Sequence, residues 1–149
     1  MFFDRKLSFK PHICILAAKA LKVSNALRSL GKTTRRVPPI FLQRAVKACV
    51  LKKGYFAAET WEPGRTKSKN GLRISNRVDS HLALLEKVVL TGARAILPVY
   101  KTTQVATLYR EARLQPPEIE LNLITGTYAA RTARLDPQHP LIARKVQVL

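Results

Sequence analysis

The chain predicts an all-α protein: two small helical units behind a short extended N-terminal lead-in. Three observations carry this. Apolar residues return at intervals of three and four along most of the 149 residues, the repeat of one face of an α-helix. Proline stands where helices would begin, and glycine or proline where they would stop. No alternating runs flank a hairpin turn, and strand patterns do not alternate with helical ones as a parallel sheet requires.

Phe2 to Phe9 alternates weakly and reads as an extended lead-in. Pro11 disfavours helix at Lys10, so the first helix is expected to begin at or after the proline. Its apolar stripe is Ile13, Leu16, Ala20, Val23, Leu27 and Leu30, with Lys22, Asn25 and Ser29 opposite, Lys19 and Arg28 on the flanks, and Gly31 as the stop. A basic connection, Lys32-Thr-Thr-Arg-Arg36, leads to a second helix with proline in its first turn. There Leu42, Ala45, Val46 and Cys49 form the expected stripe, and Lys52, Lys53 and Gly54 close it, cations first and glycine last. Tyr55 to Trp61 suits a further helical turn.

From Glu62 to Ile74 the chain is polar, basic and rich in breakers, the best internal boundary it offers. This divides it into residues 1–61, a basic linker over 62–75, and a second helical region over 76–149. Asn76 and Asp79 have the spacing of a capping box for a third helix. Val78, Leu82, Leu85, Val89, Gly92 and Ile96 follow one face, and Leu84, Val88 and Leu90 widen it far beyond a stripe. Such a helix is expected to be buried on several sides. In a chain this short, that surface also suggests a missing partner domain or self-association.

Pro98 ends this helix; a short one is expected over Gln104 to Ala112, anchored by Leu108 and Tyr109. Gln115-Pro116-Pro117 opens the last, with Glu118 and Glu120 near the positive end of its dipole. Leu121, Ile124, Tyr128 and Leu135 repeat along it, and Asp136, Pro137 and Pro140 stop it, leaving a tail over 141–149 expected to be poorly ordered.

The charge is the strongest functional signal. Lys and Arg number 27 against 9 Asp and Glu, a net charge of +18. Such a surplus repels itself and favours a polyanion, nucleic acid before an anionic membrane. No apolar run approaches the length of a membrane span, because Lys19 and Lys22 interrupt the longest candidate. Cys14 and Cys49 lie far apart with no histidine at ligand spacing, so neither a zinc site nor a disulfide framework is indicated. The basic, amphipathic first thirty residues also fit a mitochondrial transit peptide.

Catalytic chemistry is not indicated. Two-metal phosphoryl transfer needs converging carboxylates, whereas Asp4, Asp79 and Asp136 are isolated and Glu118 and Glu120 are explained by a helix start. His12, His81 and His139 read as surface or capping residues, and Ser80 and His81 would point to different faces of one helix. The scattered glycines make no phosphate-binding loop, and no cofactor is implied. What remains is a set of candidate phosphate contacts: Arg5, Lys6 and Lys10 before the first helix; Lys19, Lys22, Asn25 and Arg28 on it; Lys32, Arg35 and Arg36 after it; and Lys52 and Lys53 after the second. If those two helices pack antiparallel, the early cluster and the Lys52-Lys53 pair meet at one end. Such an edge would track phosphates without reading bases.

Phe2-Phe3-Asp4-Arg5-Lys6-Leu7-Ser8-Phe9-Lys10-Pro11-His12-Ile13 resembles the segment that leads from palm to thumb in the reverse transcriptases of non-LTR (LINE-type) retrotransposons, with Asp4, Leu7, Phe9 and His12 on the family's pattern. Asn25-Ala-Leu-Arg-Ser-Leu-Gly31, Ala58-Glu-Thr-Trp-Glu-Pro-Gly64, Leu108-Tyr-Arg-Glu-Ala112 and Leu135-Asp-Pro-Gln-His-Pro-Leu141 resemble the thumb and following region of fungal elements. The fingers, the palm and the Tyr-x-Asp-Asp motif have no counterpart. The resemblance therefore implies a non-catalytic fragment of an RNA-directed DNA polymerase, gripping primer-template backbone through its basic helices without sequence specificity, and nuclear if it behaves like its parent element. The alternative reading from charge alone is a cellular RNA-binding module, mitochondrial or ribosome-associated.

Overall fold

The computed structural model describes residues 9–30, 37–62, 76–136 and 138–140, and for 76–79 the backbone alone. They are mostly helical and include no strand. The lead-in over 2–8, the connection over 31–36, the linker from 63 to 75, the capping side chains of Asn76 and Asp79, and the tail over 141–149 lie outside the described residues.

Helix α1 (Lys10–Leu30) starts one residue before Pro11. Phe9 makes this possible by taking a left-handed φ of 53° and accepting the Ile13 N–H at 3.0 Å. Lys10 and Pro11 then occupy the first turn, where a missing N–H costs nothing. The inward face is His12, Ile13, Leu16, Ala17, Ala20 and Ser24. The expected stripe weakens beyond it: Val23 and Leu27 are half-buried and Leu30 is exposed.

Helix α2 (Pro39–Ala45), a π-helical stretch (Val46–Leu51) and α3 (Lys52–Gly54) follow without a break as one rod. The π turn changes which side chains face inward. Bonds from i to i+5 take up more residues per turn, so the buried row is Leu42, Val46, Val50 and Gly54, every fourth residue. The predicted stripe is therefore corrected: Ala45 is half-buried and Cys49 is exposed. Gly54 is not a left-handed stop either. It lies inside the helix, and a side chain there would meet Ala20 and Leu85. The left-handed residue is Ala57, with φ 56°, followed by the single turn α4 (Ala58–Trp61). The Trp61 indole N–H donates to the Phe56 carbonyl at 2.9 Å.

Helix α5 (Asn76–Ile96), the predicted third helix, is the spine. It packs along α1 and the rod, and also against α6 and α7. Leu85, Val88, Val89, Ala93, Ala95 and Ile96 are buried, as its broad apolar surface requires. Leu82, Leu84 and Leu90, which widen that surface, are half-buried. Gly92 marks the tightest crossing: a Cβ there would lie 3.0 Å from Val46 Cγ1 and 3.7 Å from Ser24 Oγ. Ser24 and Gly92 thus meet Val46, while Ala20 and Leu85 meet Gly54. α1 and α5 pack directly on each other and advance in the same direction, and the rod runs back against both.

Helix α6 (Val105–Ala112) ends in a left-handed cap, with Arg113 at φ 51°. The Leu114 N–H bonds the Tyr109 carbonyl at 3.0 Å and the Arg113 N–H bonds the Arg110 carbonyl at 3.1 Å, a Schellman motif, with the Leu114 and Tyr109 side chains buried together. Gln43 of α2 adds a bond from Nε2 to the Ala112 carbonyl at 3.0 Å. Helix α7 (Pro117–Ala133) buries Leu121 and half-buries Ile124, but Tyr128 is exposed, so the expected stripe holds only near its start. Past it, Asp136 accepts the Gln138 N–H at 2.9 Å in the turn that its position implied. One core draws Ile13, Val46 and Trp61 together with Leu85, Leu108 and Leu121, from both sides of the 62–75 boundary.

Candidate nucleic-acid interface

Of the predicted phosphate contacts, Arg5, Lys6, Lys32, Arg35 and Arg36 lie outside the described residues. Lys10, Lys19, Lys22, Asn25, Lys52 and Lys53 are exposed and Arg28 is half-buried. Lys19, Lys22, Asn25 and Arg28 follow one another at i+3. Each step falls about 60° short of a full turn, so the four form an oblique band that crosses the outer face of α1 over ~13 Å of its length. Directly behind it, Ala17, Ala20 and Ser24 are locked into the core. The band is therefore carried on a helix with no freedom to roll.

The Lys52-Lys53 pair does not lie beside Lys10, the one described residue of the early cluster. Gly54 rests on Ala20, ~15 Å along α1 from Lys10. The small residues at both positions let the two backbones close there, and the rod meets the middle of α1 instead of its N-terminal edge. The pair thus leaves the core at the level of Lys19 and Lys22.

A second gathering of charge was not expected. Between the end of the rod and the α6–α7 corner lies a cavity of about 610 Å³. Lys47, Lys52 and Arg113 stand on it with Glu120, and Leu114, Leu123 and Ile124 supply apolar wall. Tyr55 lines it, 7 % exposed, and its hydroxyl has no hydrogen-bond partner among the described residues. Burial, then the Glu120 charge and Tyr109, hold that phenol well above its ordinary pKa. Burial and the Glu86 charge push Tyr109 up to about 12. Sequence alone could not assemble this group, because the π turn and the left-handed Arg113 together set which side chains face the gap.

The histidines need correction. His12 is 2 % exposed and His81 is 7 % exposed, both core residues, while His139 is half-buried. His12 shares the i+4 row of Leu16, Ala20 and Ser24, a spacing that could have placed it inward. Burial lowers its pKa. Ser80 is exposed while His81 is buried, so the neighbours do face apart. Among the described residues no three His, Cys, Asp or Glu side chains gather to hold a metal, and no helix is long and apolar enough to cross a membrane.

No family model matches the chain, and no curated protein or solved structure matches it.

Proposed function

We propose that this chain forms the thumb and following helical connection of a LINE-type reverse transcriptase, and that it holds duplex through phosphates without reading sequence. The observation that carries this is the band of exposed Lys19, Lys22 and Asn25 with half-buried Arg28, on a helix whose other face is fixed in the core, just after the segment that resembles the family's palm-to-thumb pattern. The band's ~13 Å covers about four phosphate steps at 3.4 Å of axis per strand. It offers cations and one amide and no side-chain set arranged to read base edges. In this reading the chain grips and does not catalyse.

Fluorescence anisotropy of a labelled duplex tests it. Binding should weaken steeply between about 50 and 200 mM salt, and the log–log slope should fall by about 2 when Lys19 and Lys22 are both changed to Ala. Equal retention at both salt concentrations, or an unchanged slope in the double variant, overturns the proposal. So does dependence of the affinity on duplex sequence.

A further inference from the structure

The cavity between the rod and the α6–α7 corner has three kinds of wall, and each suits one part of a nucleotide. Phe56 is 58 % exposed beside it, an aromatic face on which a base can stack. Glu120 and Tyr55 share its lining, an anionic acceptor and a buried hydroxyl that has no hydrogen-bond partner among the described residues. Lys47, Lys52 and Arg113 supply positive charge for a phosphate. The volume of about 610 Å³ lies within the range of small-ligand pockets.

Glu120 decides between ligand classes. A fatty acid would suit the apolar wall and the cations, yet it would bring a second anion and no donor to the carboxylate. A nucleobase brings N–H donors. Guanine presents N1–H and N2–H side by side, as a carboxylate accepts them; uracil flanks its N3–H with carbonyl oxygens that Glu120 repels.

We propose that this cavity binds a single unpaired nucleotide, guanine preferred, with the base on Phe56, its Watson–Crick edge on Glu120 and Tyr55, and its phosphate on Lys47, Lys52 and Arg113. The inference deepens the backbone-grip reading by adding a place for a nucleotide outside the duplex, and it rests on that reading for its setting. The site itself is tested without any duplex.

Equilibrium dialysis of the full chain against GMP, AMP, CMP, UMP and laurate reads it, with Trp61 fluorescence as a second signal because its indole bonds the Phe56 carbonyl. GMP should bind saturably and UMP most weakly of the nucleotides. Glu120→Gln should weaken GMP roughly tenfold or more, through loss of a charged acceptor. Tyr55→Phe should weaken it less, and it leaves the core shape intact. Leu123→Trp, at an exposed wall position, should block GMP yet leave duplex affinity unchanged, whereas Lys19→Ala with Lys22→Ala should do the reverse. Absent or non-saturable GMP binding, laurate binding tighter than GMP, or GMP affinity indifferent to Glu120→Gln each overturns the proposal. A chain that binds GMP but not duplex would keep this site and sink the backbone-grip reading instead.

Discussion

His12 enters the core in the first turn of α1, and burial holds its pKa below the ordinary 6.5. The unfolded chain therefore takes up a proton at a higher pH than the folded one does. The stability tied to a neutral His12 is full above the unfolded value of about 6.5 and is lost as pH falls from there toward the lowered folded value, below which the loss levels off. Thermal melts from about pH 8 to about pH 5 should show Tm falling on the acid side, and His12→Gln, which cannot titrate, should flatten that fall. A variant that melts with the same pH profile as the parent would show that His12 titrates alike in the folded and unfolded chain, and would overturn the assignment. The residue also marks where sequence reading ended. A histidine beside a proline at a helix start is ordinarily wet, and only the i+4 row through Leu16, Ala20 and Ser24 hinted at the core.

Two glycines decide how the helices meet, and they answer differently to the same change. Both lie in helices, where alanine is favoured over glycine by about 1 kcal/mol. At Gly54 the new methyl would meet Leu85 Cδ2 at 3.8 Å and Ala20 Cβ at 3.9 Å, ordinary contact. Gly54→Ala should stabilise by about 0.5–1 kcal/mol. At Gly92 it would press on Val46 Cγ1 at 3.0 Å, and Val46 is β-branched and fully buried. Gly92→Ala should cost about 1–3 kcal/mol from overpacking, part of which Val46→Ala returns by making room. Denaturant melts followed by helical circular dichroism read all three; stabilisation by Gly92→Ala would mean the crossing is looser than 3.0 Å implies. The elements themselves were legible, because proline entries at Pro39 and Pro117 and the apolar width of α5 are local signals. The face presented by the rod was not. A π turn leaves no mark in an apolar pattern that fits a spacing of three or of four equally well, and Cys49 was assigned inward for that reason.

At the scale of the molecule, charge sets two opposing responses to salt. The all-α class follows from apolar periodicity and the net charge of +18 from composition, whereas the core shared by residues on both sides of 62–75 was not legible in either. Which cations would be neighbours was not legible either: packing brings Arg113 from a distant stretch to Lys47 and Lys52 of the rod, and Lys52 and Lys53 reach the middle of α1 through a contact between two small residues. Such crowding destabilises the free chain through self-repulsion. Added salt shortens the screening length from about 30 Å at 0.01 M to about 8 Å at 0.15 M, so the Tm of the free chain should rise over that range. Bound duplex acts the other way. Held as proposed, it would neutralise the same cations and raise Tm by mass action, and salt would remove it. With excess duplex, Tm should therefore begin higher, fall as salt is added, and meet the rising curve of the free chain near the salt at which anisotropy loses the complex. A free chain whose Tm is flat or falls over that range would mean that its surplus charge is already offset within the fold. Curves that never converge would mean that duplex is held by contacts other than phosphate charge.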